Sequence, residues 1–410
     1  MKKSCLILIL CFYCFNINAQ SNNDINIGKI ESIYSKILNE ERKVWIHVPK
    51  DKVDGVLLKQ KYPVIYLLDG DAHFSSVVGM IENLSSKSDN NILPKCIIVG
   101  ITNTNRSRDL TPKKEIKDTS IDSTTIANFG GGEKFISFIE KELIPKIESE
   151  YPTAPHRMFI GHSLGGLLVM HTLITKPNLF NAYIAIDPAM WWDNQKLLNE
   201  LKNSKLDGKF NNKTLFLGVA NTLPKDMDIN SVEEDESDQT FHIRSILKLN
   251  VLLSSNTQSQ LKFKGKYYEN DTHGSSPLIS TYDALRFIFD FYDLKIDGNV
   301  FYNPETDVES LIVNHFKKVS KTIGYGVKPY GNFINKMGNR FLDMKQLKKA
   351  EALLQLNVTN FPENHQVYNS LGNFYEKSGD KEKAIKNYKK SISLNKDSLA
   401  KDKLKVLEKE

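Results

Sequence analysis

The chain has 410 residues, enough for two to three domains. Hydrophobic residues make up 40% and charged residues 25%, which supports a sizeable core and excludes wholesale disorder. Lys plus Arg number 55 against 49 Asp plus Glu, and so small and dispersed an excess argues against a nucleic-acid binder. In chain order, Lys2 and Lys3 come first, then the unbroken apolar run Leu6 to Phe15, then Ala19 before Gln20. This pattern reads as a cleaved secretory signal over residues 1–19, because the run is short of the ~20 apolar residues of a membrane span. Three of the four cysteines (Cys5, Cys11, Cys14) fall within it, leaving Cys96 and excluding a disulfide framework. The mature chain is expected to be secreted or periplasmic, with no membrane span.

From Ile27 to Leu294, short β-branched or aromatic runs alternate with helical patterns. Val44–Val48 reads as a strand closed by Pro49. Tyr62 to Leu68 is a continuous apolar run ended by Asp69-Gly70, as expected for a strand buried on both faces. Cys96–Ile101, Arg157–Ile160, Ala182–Ile186, Leu215–Val219 and Leu261–Tyr268 repeat the pattern, and Glu133 to Glu150 has the spacing of an amphipathic helix. The prediction for residues 27–295 is an α/β domain: a mostly parallel sheet covered by helices on both faces, with an antiparallel entry.

After Leu294 the strand signals stop. Residues 296–334 read as a helical linker, with a helix over Asp307–Ile323. Across residues 335–410 an internal repeat appears: Gly338 matches Gly372, Phe341 matches Tyr375, Ala350 matches Ala384 and Leu354 matches Tyr388, all at one offset of 34 residues. That is the tetratricopeptide period. Two units are marginal alone, so they are expected to stack on the preceding helix and to serve as a protein-binding surface.

The most informative string is Gly161-His162-Ser163-Leu164-Gly165-Gly166, set between a predicted strand and a predicted helix. A serine on that turn is a candidate nucleophile, and the helix start aims backbone N–H groups at an adjacent oxyanion. Among nine histidines, His273 lies in a loop just after the last predicted strand and is the candidate base. Of the others, His47, His171, His242, His315 and His365 sit inside predicted elements, His162 is at the elbow itself, His156 is too close to it, and His73 follows the Tyr62–Leu68 strand on the oxyanion side. The acid is expected in the loop after Leu215–Val219, where Asp228 is favoured over Asp226, and Asp271 is a local alternative. Second to the Leu164 amide, the Asp71 amide is the candidate oxyanion donor. No metal or cofactor is implied, since Asp69 and Asp71 lack matching ligands. Trp191-Trp192 can stack on a substrate ring or plug the core beneath the loop. Arg106 and Arg108 are candidates for an anionic substrate, with solvated or capping roles as the alternative.

Tyr62–Gly70, Gly161–Gly166, Asp187–Asp193 and Thr272–Leu278 occur in an order that resembles the putative esterase family of α/β-hydrolases, in particular its enterochelin-esterase-like members with tetratricopeptide tails. The resemblance covers roughly residues 27 to 295 and implies an α/β-hydrolase fold. It assigns Ser163 as nucleophile, His273 as base, and the Asp71 and Leu164 amides as oxyanion donors, but fixes no acid. The activity it implies is that of a secreted serine carboxylic-ester hydrolase working through an acyl-enzyme on a small-molecule ester, such as a siderophore or carbohydrate ester. The alternatives are acyl transfer by the same machinery, or a non-catalytic interaction protein that uses its repeats.

Overall fold

The computed structural model describes residues 25–49, 52–53, 56–57, 60–85, 92–113, 128–203, 208–256, 259–396 and 398–409. The signal segment expected at 1–19 lies outside the described residues. Eight strands form one sheet: β1 (Lys29–Ser35), β2 (Glu40–His47), β3 (Tyr62–Leu67), β4 (Ile97–Ile101), β5 (Thr153–His162), β6 (Ala182–Ile186), β7 (Thr214–Ala220) and β8 (Lys262–Tyr268). Their spatial order is β1-β2-β4-β3-β5-β6-β7-β8. β1 pairs antiparallel with β2, β2 antiparallel with β4, and every other neighbouring pair is parallel. The expected antiparallel entry is therefore present. The central strands β3, β4 and β6 are buried along their whole length, as their unbroken apolar runs demand.

Helices cover both faces, and two apolar clusters, one on each side, form the core. On one side the helix starting at Gly132 passes through a π-helical turn, Ile139–Leu143, before continuing as Ile144–Glu150. On the other, Gly70–Ser85 and Ser276–Ile288 pack with Ile65, Ile98 and Ile184. Because the parallel strands point one way, the loops after β3, β5, β6, β7 and β8 emerge at one end of the sheet. That end carries the site.

The helical tail runs through Val308–Ile323, Gly331–Asp343, Leu347–Asn360, His365–Ser378, Lys381–Leu394 and Ala400–Leu407. The repeat matches have a direct physical cause. A Cβ on Gly338 would meet Leu354, and one on Gly372 would meet Tyr388, the residue at the equivalent position. Packing continues across residue 295: Val319 and Ile323 belong to the same core cluster as Phe289 and Tyr292, and Tyr330 donates its hydroxyl to the Ser85 carbonyl at 3.3 Å. The first tail helix is thus seated on the sheet domain. Among the described residues no helix is long and apolar enough to cross a membrane.

Candidate active site

Ser163 sits on the turn from β5 into the helix Leu164–Thr175, at φ 58° and ψ −118°. A non-glycine residue in that region costs about 1–3 kcal/mol, so the surroundings must over-determine it. They do. Ser163 N donates to the Ile186 carbonyl at 3.0 Å, and its own carbonyl accepts from Leu167 N at 2.9 Å and Ala189 N at 3.0 Å. A side chain on Gly161 would collide with the Gly165 carbonyl, so strand and helix can approach this closely only through glycine. The Leu164 amide opens the helix, where the first-turn N–H groups have no intrahelical acceptor.

His273 lies between β8 and the helix Ser276–Ile288, and its Nδ1 donates to Asp187 Oδ2 at 2.6 Å. Asp187 directly follows β6, at φ 41°, and is completely buried. Its Oδ1 accepts from Ala220 N, at the end of β7, at 2.9 Å. Its Oδ2 also accepts from His242 Nε2 at 2.9 Å. Burial pushes this carboxyl's pKa up, but the bonds from His242 and His273 outweigh it and hold the value at about 2. The carboxylate is therefore ionised at neutral pH, and both of its oxygens accept hydrogen bonds.

This corrects the expected acid. Asp228 caps the turn Ile229–Ser231, its Oδ1 accepting from Asn230 N at 2.7 Å, while Asp187 takes His273. Asp271 is likewise spent locally, accepting from Ser275 Oγ at 2.9 Å. His273 meets a carboxylate that follows β6, one strand earlier in the chain than the expected loop after β7. The available signal was an aspartate ending an apolar strand run (Ile186-Asp187-Pro188). His242, expected inside a helix, lies in the first turn of Phe241–Ser254 and reaches Asp187.

Among the described residues no hydrogen bond joins Ser163 to His273; the contact between their loops is made by the neighbouring His162. The His162 ring lies 4.5 Å from the His273 ring, centroid to centroid. Catalytic hydrogen bonds are often long before substrate binds. Burial, and the nearby His273, push the His162 pKa down to about 4, so at neutral pH His162 packs against the site as an uncharged ring.

Asp71 stands in the first turn of Gly70–Ser85, and its Oδ1 accepts from Asn103 Nδ2 at 3.2 Å. Arg106 is engaged within the chain: its Nε and Nη2 donate to Asp69 Oδ1 and Oδ2 at 2.7 and 3.0 Å, and Nη2 also reaches the His162 carbonyl at 3.2 Å. Arg108 is spent on Glu40 and Asp109 at 2.6 and 2.7 Å. Trp192 is buried against Phe129, with centroids 5.1 Å apart, so it is the plug. Trp191 is 38% exposed on the same loop and remains available to a ligand. The donor atoms of Asp187, His242 and His273 lie within 4.8 Å of one another, a spacing at which metal sites also occur. Here both rings donate N–H groups to one carboxylate oxygen, which makes the trio a complete hydrogen-bonded set.

Residues 35–272, more than half of the chain, match the family described as "Putative esterase". The chain belongs to this family of esterases. It is a carboxylic ester hydrolase. A separate match to the tetratricopeptide repeat covers residues 365–398. The esterase is 31% identical to the ferri-bacillibactin esterase BesA of Bacillus subtilis over 50% of this chain and 73% of that one. It is also 31% identical to the siderophore triacetylfusarinine C esterase of Aspergillus fumigatus, over 34% of this chain and 48% of that protein. This esterase thus spans about half the length of the fungal relative. A solved IroE-like serine hydrolase from Shewanella oneidensis superposes with a TM-score of 0.64 at 30% identity, covering 80% of this chain and 98% of that one.

Proposed function

We propose that the protein is an exported serine esterase that opens a siderophore ester through an acyl-enzyme, with Ser163 as nucleophile, His273 as base and Asp187 as the acid that orients it. The observation that carries this reading is the bond from His273 Nδ1 to the buried, ionised Asp187 beside the strained Ser163 turn. With Nδ1–H committed to Asp187, His273 presents Nε2 as a free lone pair. Nε2 takes the Ser163 hydroxyl proton as Oγ bonds to the ester carbonyl carbon. The resulting oxyanion is held by the Leu164 and Asp71 amides, each in the first turn of its helix, where the positive dipole end adds to the N–H groups. Collapse expels the alcohol, which takes the proton from His273. Water then enters, gives a proton to His273 and attacks the acyl carbon, and Ser163 is regenerated.

Support for the siderophore class comes from the relatives whose names specify such esters. Exposed Trp191, on the loop that also bonds Ser163, suits an aryl or sugar ring. Export is supported by Lys2-Lys3 followed by the Leu6–Phe15 run. The tail supplies none of the site residues, and we assign it a protein-binding, positioning role.

The test is a fluorophosphonate probe followed by peptide mass mapping, together with a substrate panel of cyclic catecholate triesters, feruloyl and acetyl carbohydrate esters, and short acyl esters. The reading expects adduct mass on Ser163 and the highest kcat/KM on the triesters. Labelling elsewhere overturns the mechanism, and preference for another ester class overturns the substrate. Recovery of uncleaved protein from the cytoplasm alone overturns export.

A further inference from the structure

Two imidazoles donate to a single carboxylate oxygen in this site, and the Ser–His–Asp reading uses only one of them. We propose that His242 is a positioning residue: its Nε2–H, given to the same Asp187 oxygen that His273 uses, fixes that carboxylate and limits how strongly it draws a proton onto His273. The inference rests on the Ser163–His273–Asp187 reading above.

The geometry is closed on every side. Asp187 has no exposed surface, its Oδ1 is held by Ala220 N at 2.9 Å, and its Oδ2 receives His273 at 2.6 Å and His242 at 2.9 Å. A carboxylate held at three points has no other rotamer that satisfies all its donors. Since that carboxylate is ionised and carries no proton, both rings must be the donors, which fixes the tautomer of each. The two rings stand edge to face, 5.3 Å apart. His242 itself is carried by the first turn of Phe241–Ser254, where Ser245 Oγ donates to the His242 carbonyl at 2.7 Å.

The consequence is electrostatic. When His273 takes the serine proton, its imidazolium leans on an oxygen whose second lone pair is already committed. A shared acceptor stabilises that cation less than an unshared one does. If His242 is protonated first, its charge opposes a second proton on His273 and acts in the same direction. The ionisable surroundings are few. From the β6 loop there is Asp187; from the β8 loop, His273, and Asp271 tied to Ser275; from the elbow, His162, kept neutral by burial. On the His242 helix, Arg244 donates to Thr240 Oγ1 and the Ser237 carbonyl; in the segment before that helix, Asp235 accepts from the Ser237 and Thr240 hydroxyls.

Two substitutions in the full chain separate donation from bulk. His242→Gln keeps an N–H near Nε2 but cannot become charged, whereas His242→Leu keeps volume and donates nothing. The measurement is the pH profile of kcat and kcat/KM on a small soluble ester, after each variant is shown to unfold cooperatively. For His242→Leu, kcat is expected to fall about tenfold and the acid limb to move up by about one pH unit. For His242→Gln, kcat should stay within about threefold of the parent. A Leu variant with the parent's profile overturns the proposal, as does a Gln variant that loses kcat as fully as Leu does. Should the Leu variant fail to fold, His242→Ala takes its place as the variant that donates nothing and is read by the same criteria. Fluorophosphonate labelling of the parent protein separates the two layers. Absence of adduct on Ser163 removes the serine mechanism, whereas normal labelling with unaltered His242 variants removes only the role of His242.

Discussion

Two aspartates follow two strands of the parallel sheet, β3 and β6, on either side of β5, and lead opposite lives. Asp69 follows β3 at φ 52°, and Asp187 follows β6 at φ 41°; both are buried at the same end of the sheet. Asp69 meets Arg106, a cation that never titrates, in a two-pronged pair that also ties down the His162 carbonyl. Asp187 meets two imidazoles, side chains that can exchange a proton. A permanent partner makes the first carboxylate scaffolding for the elbow, and titratable partners make the second one chemistry. The difference lies in the partner, since a position after a parallel strand, burial and a positive φ are shared.

The comparison breaks first at His273. His273→Ala should lower kcat about 10⁴-fold with unfolding little changed, because the base is lost while binding persists; paired kinetics and thermal melts check this. Asp69→Ala should act the other way round. It strands a guanidinium that is about one-third exposed, so unfolding free energy should drop by about 1–3 kcal/mol in urea titration, while kcat falls less than tenfold. Acid should expose Asp187 next. Its carboxyl, ordinarily near 3.9, is held at about 2 in the folded chain, so its stabilising contribution is fully present above about pH 4 and is lost as pH falls through 2. Urea midpoints of the parent between pH 5 and 2 should therefore decline more steeply than those of Asp187→Asn. The smallest effect belongs to Asp228→Ala: loss of a turn cap, worth about 1 kcal/mol or less, with unchanged turnover.

The legible parts of the sequence were those with local causes. Apolar runs announced the buried strands, glycines around Ser163 announced the close strand–helix approach, and paired small residues at one offset announced the repeat. Exposed β1 alternates weakly, with burial on few of its positions, and so carried no strand signal. The acid was illegible for a different reason. Which carboxylate meets His273 depends on where the loops after β6, β7 and β8 come together, and the acidic loop at 221–240 drew attention that one aspartate before a proline did not. Arg106 and Arg108 likewise looked free because their partners, Asp69 and Glu40, are distant in sequence.

The most direct test of the account compares Asp187→Asn with Asp228→Asn in kcat/KM on one soluble ester, each variant first shown to unfold cooperatively. The account predicts a loss of about 10³–10⁴-fold for Asp187→Asn, since His273 loses the carboxylate that fixes its tautomer, and a value within about twofold of the parent for Asp228→Asn. Near-parental activity in Asp187→Asn, or an equal collapse in Asp228→Asn, would contradict it.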